Sequence, residues 1–186
     1  MKLVIGISGA SGAVYATTLL KNLAQEETYL IISDNGKKLI EHELGIKVDE
    51  VREMADHNYE NSDLNADISS GSVKYDAMII IPCSTSSMSK IAAGITDNLI
   101  TRAADVCMKE RRKLILVPRE TPLNTIHLEN MAKLSRLGVI ILPAMPAFYT
   151  KPEKVEDLVN FVIGKLLDII GIDNELFTRW NAGKNE

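Results

Sequence analysis

Residues 2–24 confine the chain to a narrow set of folds. Lys2-Leu-Val-Ile-Gly-Ile-Ser8 is an apolar, β-branched run. Gly9-Ala-Ser-Gly12 is a turn of small residues, and a helical pattern follows from Ala13 to about Ala24. A buried strand that enters a glycine-rich turn and then a helix opens a βα unit. Turn amides and the positive end of the helix dipole converge beyond such a strand, which predicts an anion site at Gly9 to Gly12.

The remainder reads as further units of the same kind. Thr28 to Ser33 is a strand pattern and Asp34 to Leu44 the helix behind it. Asp76 to Pro82 is a third strand, and the polar turn Cys83-Ser-Thr-Ser-Ser-Met-Ser89 follows, with Ser86 or Ser87 placed to cap the next helix. Asp97 is the expected N-cap of a helix reaching Lys109. Lys113 to Val117 is a strand closed by Pro118, and Thr121-Pro122 reads as the start of a helix that Gly138 ends. Val139 to Leu142 is a short strand and Glu153 to Ile170 a long helix. Residues Asp49 to Asp67 carry seven acids, a single arginine and no periodicity, and read as a solvated connection.

The strands are continuously apolar rather than alternating, and they alternate with helices. This predicts an α/β fold of three layers, a Rossmann-like parallel sheet with helices on both faces, in one domain over 1–186. Binding sites in such sheets lie beyond the carboxyl ends of the strands. The polar residues gather there: Ser8 to Gly12, Ser33-Asp34, Cys83 to Ser89, Arg119-Glu120, and Pro143 to Tyr149.

Composition removes several functional classes. A net charge of −4 argues against nucleic acid as partner. The longest apolar helix is interrupted by Lys165 and Asp168, so no membrane span is expected. Met1 leads directly into the first strand without a signal peptide, and the expectation is a soluble cytoplasmic protein. Cys83 and Cys107 are too distant for a CxxC motif, and His42, His57 and His127 lack ligand spacing, so no metal is expected.

Gly6-x-x-Gly9-x-x-Gly12, with Asp34 after the second strand, approaches a dinucleotide fingerprint. No tyrosine has a lysine four residues later, as a short-chain nicotinamide reductase would require, and there is no second nucleotide-binding half. Two small-residue turns in one sheet favour a cofactor with a single phosphate, flavin mononucleotide (FMN). Arg102 and Lys109 share a helix face with Asp105 between them, which on spacing reads as an ion-pair ladder or, alternatively, as a phosphate seat. Arg119-Glu120, at a strand's end, offers a fork for phosphate and a carboxyl able to move a proton. Tyr149 is either a phosphate donor or a packing residue. Trp180 either pins the tail or lines a site against a cation.

Taken in order, Gly9-Ala-Ser-Gly-Ala13, Pro82-Cys-Ser-Thr85, Asp97-Asn-Leu-Ile100, Arg102-Ala-Ala-Asp105, Lys109-Glu-Arg-Arg112, Leu116-Val-Pro-Arg-Glu120, His127-Leu-Glu-Asn-Met131, Leu142-Pro-Ala144 and Phe148-Tyr149 form a specific set. With it the chain resembles the flavin prenyltransferases, the UbiX family. The resemblance implies a flavodoxin-like subunit of a large homo-oligomer, a dodecamer, with sites at subunit contacts. It implies transfer of a dimethylallyl group from dimethylallyl monophosphate to N5 and C6 of reduced FMN, without a metal. The product, prenylated FMN, would serve a UbiD-type decarboxylase. By the same resemblance Gly9, Ala10, Ser11, Ser33, Ser84, Thr85, Ser86 and Ser87 hold FMN, with Arg102 on FMN or phosphate. Lys109, Arg119 and Tyr149 grip the prenyl phosphate. Ser11, Glu43 and Glu120 handle protons, and Trp180 faces the prenyl cation.

Two departures stand out. Lys165 occupies a position where most members carry arginine, keeping the charge and losing the fork. Ser86-Ser87 replaces a more usual Gly-Thr or Asn-Thr. Two rival readings remain: an FMN-dependent cysteine decarboxylase of the related family, and a non-catalytic FMN carrier. The first uses a Pro-x-Met-Asn clamp, where this chain has Pro143-Ala-Met-Pro146.

Overall fold

The computed structural model describes residues 1–180. The chain divides into two compact units, one from Met1 to Pro143 and one beginning at Ala144. The first unit holds a parallel sheet of six strands: β1 (Lys2–Ile7), β2 (Glu27–Ile32), β3 (His57–Glu60), β4 (Ala77–Cys83), β5 (Lys113–Pro118) and β6 (Ile140–Ile141). Their spatial order is β3-β2-β1-β4-β5-β6. Around them run α1 (Ala13–Asn22), α2 (Asp34–Leu44), α3 (Val48–Arg52), α4 (Thr85–Ala93), α5 (Leu99–Lys109) and α6 (Thr125–Arg136).

From β1 the chain moves to β2 on one side, and from β4 to β5 on the other. The right-handed rule for parallel crossovers places the helices of these two connections on opposite faces of the sheet. One face shows the pattern in its side chains. Val4, Ile31, Met78, Ile80, Leu114 and Leu116 form one buried cluster with Met88 and Ile91 of α4, Ile100 and Ala103 of α5, and Leu134 of α6. Leu3, Ile5, Ile7 and Ile79 alternate with them toward the other face and are equally inaccessible. Burial on both faces is why these strands read as unbroken apolar runs.

Strand order reverses between β1 and β4, and a single hydroxyl joins their carboxyl ends. Ser8 Oγ donates to the Pro82 carbonyl at 2.9 Å and accepts from the Ser84 N–H at 2.7 Å. Fully buried, Ser8 ties the two turns of the predicted crevice together.

Several boundaries differ from the sequence reading. The acidic stretch is not merely a connection: it contains α3, the edge strand β3 and a 3₁₀ turn at Asp67–Ser69. His57 stacks on Tyr29 at 4.6 Å, and Ile68 is buried. Ser84, not Ser86 or Ser87, caps α4 by accepting from the Ser87 N–H at 3.1 Å. Asn98 caps α5 by accepting from the Thr101 N–H, while Asp97 pairs with Lys90 at 2.6 Å. Thr121-Pro122 does not start a helix; α6 begins three residues later under an Asn124 cap. The Arg102–Asp105–Lys109 ladder does not form, and Lys109 instead pairs with Glu110.

The second unit is built on α7 (Val155–Ile170). The Asp157 carboxylate accepts from the Glu153 and Lys154 N–H groups at 2.9 and 3.1 Å, closing the positive end of the helix. Among the described residues no helix is long and apolar enough to cross a membrane.

Candidate active site

A cavity of about 560 Å³ opens at the carboxyl ends of the strands. Its size lies within the usual range for small-molecule sites. It brings together Gly9, Ala10, Ser11, Ser33, Ser84, Thr85, Ser86, Ser87, Arg119 and Glu120, all of them expected from sequence. It also contains residues the sequence reading did not assign to a site, chiefly Asn35, Asn61, Lys90 and Asn98.

Four helix N-termini stand around this region, and they are not equivalent. At α1, the Gly12 and Ala13 N–H groups both donate to Glu43 Oε2 at 2.9 Å. At α5, the Leu99 N–H donates to the Asn61 carbonyl at 2.8 Å and the Ile100 N–H to Asn61 Oδ1 at 3.1 Å. Those two ends are filled by the protein's own acceptors. At α2, Ser33 Oγ accepts from the Gly36 N–H at 3.1 Å, and Ser84 does the same for Ser87 at α4. Among the described residues the first amides of α2 and α4 keep no acceptor, which leaves two dipole ends open on one cavity. The expected anion site therefore moves from the first turn to Ser33 and Ser84–Ser87. This donor set suits the phosphate of FMN, and the volume leaves room for its ring system.

The first turn has a different task. Gly12 adopts φ of 115°, a left-handed conformation that turns the chain into α1. Burial raises the pKa of Glu43, but the N–H groups of Gly12 and Ala13, the Ser11 hydroxyl and the Arg119 charge outweigh it. The carboxyl is held below the usual carboxylate range. A depressed pKa means that this cap stabilises the fold above the unfolded-state value and is lost as pH falls through the folded-state value. We expect Glu43→Ala to cost about 0.5 kcal/mol at pH 7, the low end for a cap because the residue is solvent-exposed. Urea unfolding should show the gap between variant and parent closing at acid pH. A pH-independent gap would mean that the carboxylate charge contributes nothing.

Arg119 and Glu120 follow β5 directly. Arg119 Nε donates to the Ser11 carbonyl at 3.0 Å, and its terminal nitrogens have no partner among the described residues. Glu120 Oε1 accepts from the Thr121 N–H at 3.0 Å, leaving the second carboxylate oxygen free. An anchored guanidinium with its fork open and a carboxylate with one open oxygen thus meet at the cavity wall.

Other expected residues lie elsewhere. Arg102 is half-buried on α5 and outside the cavity lining. Lys109 ends the same helix, roughly 16 Å along the axis from Asn98 at its other end. Tyr149, Lys165 and Trp180 belong to the second unit, where Lys165 is exposed on α7 and the Tyr149 and Trp180 rings meet edge-on at 5.3 Å.

Residues 1–167 match the family model described as Flavoprotein. The chain is 55% identical over 180 residues to the flavin prenyltransferase UbiX of Thermoplasma acidophilum, covering 97% of this chain and all of that protein. It superposes on a dodecameric FMN-dependent UbiX-like decarboxylase from Escherichia coli O157:H7 with a TM-score of 0.96 and 47% identity, over 98% of this chain and 100% of that one. The AnUbiX protein in complex with FMN and dimethylallyl pyrophosphate gives the same TM-score at 40% identity, with 98% of each chain covered. An FMN-dependent cysteine decarboxylase, at 16% identity and a TM-score of 0.62 over 76% of this chain and 88% of that one, shares the fold alone. The chain belongs to the flavoprotein family and, within it, to the UbiX flavin prenyltransferases.

Proposed function

We propose that the protein joins a dimethylallyl group from dimethylallyl monophosphate to N5 and C6 of reduced FMN. The observation that supports this most directly is the single cavity on which two open helix N-termini and the Arg119–Glu120 pair converge. Reduced FMN supplies the nucleophilic atoms. The open amides of α2 and α4, with Ser33 and Ser84 to Ser87, seat its phosphate. Ser11, held by the Arg119 contact to its carbonyl, lines the wall with Gly9 and Ala10.

Breaking an allylic C–O bond leaves charge on the departing phosphate, and the Arg119 fork is placed to take it. N5 and C6 each lose a proton in the two bond formations; the free oxygen of Glu120 accepts the one from C6, and the inner alkene carbon of the donor and the departing phosphate take up one each. Within the second unit, Tyr149 and Lys165 offer a phenol and a cation suited to a phosphate, and Trp180 an electron-rich face suited to an allyl cation. Arg102 and Lys109, outside this chain's own cavity, serve the site of a neighbouring copy in a homo-oligomer; the dodecameric state of the Escherichia coli O157:H7 relative supports the assembly. The protein works in the cytoplasm and passes its product to a UbiD-type decarboxylase.

The test is anaerobic incubation with reduced FMN and dimethylallyl monophosphate, followed by denaturation and mass measurement of the released flavin. A flavin heavier by one five-carbon prenyl unit is the expected result. Unchanged FMN, from protein shown to hold both ligands, would overturn the proposal in favour of a carrier.

A further inference from the structure

Trp180 is 70% exposed, yet the segment that carries it is tightly fixed. Arg179 grips Asp168 of α7 with both arms of its guanidinium, Nη1 to Oδ2 at 2.9 Å and Nη2 to Oδ1 at 2.8 Å. Asn174 Nδ2 donates to the same carboxylate at 3.0 Å and to the Gly164 carbonyl at 3.2 Å. Phe177 lies over Gly164 so closely that a Cβ there would fall 2.5 Å from the ring. The Phe177 ring also meets Phe161 at 5.0 Å and the Arg179 guanidinium at 5.3 Å. Phe161 in turn packs edge-on against Tyr149 at 6.0 Å, and Tyr149 against Trp180.

A surface indole with no burial to gain would ordinarily be left to move. Here the residue before it is clamped in a bidentate fork, a geometry that fixes direction as well as distance. The Asp168 carboxylate is further saturated by Asn174, so the acceptor itself cannot swing. Rigid anchoring of an exposed aromatic is the pattern of a preformed contact surface, in which ordering has occurred before the ligand arrives.

We infer that Asp168 and Arg179 are positioning residues, which hold the Trp180–Tyr149 pair in the geometry that receives the prenyl donor. This rests on the prenyltransferase reading for what the pair receives, but not for the anchoring itself. Neither residue touches substrate; they act through the indole and the phenol.

Trp180 is the only tryptophan, so its fluorescence reports on this segment alone. Arg179→Lys keeps the charge and loses the fork, and Asp168→Asn keeps the shape and loses the charge. In the full chain without flavin, both variants should show lower tryptophan anisotropy and at least twofold greater quenching by iodide. With reduced FMN and dimethylallyl monophosphate, kcat should fall about tenfold while the Kd for FMN stays within twofold. Unchanged anisotropy and quenching would overturn the inference, because the fork would not be holding the indole. A loosened indole with unchanged kcat would also overturn it, because the geometry would not matter to the reaction. Should the parent protein make no prenylated flavin, the functional reading fails and the catalytic half of the inference falls with it. The fluorescence arm then still decides whether the fork anchors the indole.

Discussion

Glu120→Gln should lower turnover by about 10³-fold while leaving FMN affinity within twofold of the parent. The substitution is nearly isosteric. Its carbonyl oxygen can still accept the Thr121 N–H that Glu120 Oε1 accepts at 3.0 Å, so the turn after β5 keeps its shape. What disappears is a basic oxygen at the cavity wall, and removing a positioned general base costs about 10²–10⁴ in rate. Single-turnover formation of prenylated flavin, beside a flavin titration, separates the two quantities. Turnover within tenfold of the parent would assign the proton to another acceptor, the retained phosphate being the nearest in chemistry. Loss of flavin binding would instead make Glu120 part of the seat.

Arg119→Met should reduce kcat/KM for the prenyl donor by about 10²–10³-fold, the usual cost of deleting a preorganised group that meets developing negative charge. Two contacts are lost together: the open fork, and the Nε bond to the Ser11 carbonyl that steadies the first turn. Arg119→Lys separates the charge from both contacts. It restores a point charge without the planar fork, and should recover about a tenth of the lost activity. Full recovery with lysine would show that charge alone suffices. Equal loss in both variants would show that the guanidinium's geometry, its fork together with its Ser11 anchor, carries the effect and charge does not.

Much of this arrangement was legible before the structure, for identifiable reasons. Strands buried on both faces announce themselves, and β1, β2, β4 and β5 were found to within a residue or two. The α2 limits, Asp34 and Leu44, were found outright, since Ser33 and Gly45 are unambiguous caps. The edge strand β3 was invisible because His57-Asn58-Tyr59-Glu60 faces solvent along most of its length and lacks an apolar run. That concealed Asn61, which follows β3, lines the cavity and fills the start of α5. The cap of α4 was misplaced because Ser84, Ser86 and Ser87 are chemically equivalent in sequence, and only the strand's end decides among them. Glu43 was singled out by resemblance as a proton handler. The two hydrogen bonds its carboxylate accepts from the Gly12 and Ala13 amides are tertiary contacts across 31 and 30 residues, which no local pattern encodes.

The placement of the two cysteines bears on selectivity. Cys83 ends β4, one residue before the serine turn, and Cys107 lies on α5. Both are free and fully buried, and burial pushes each thiol up to about 12. Sulfur attacks carbon as thiolate, and at neutral pH almost none would exist at either position. An enzyme that releases an allylic electrophile must spare its own side chains from alkylation. Of all residue types cysteine is the one most easily lost that way, and this fold keeps both of its copies protonated and screened from the cavity.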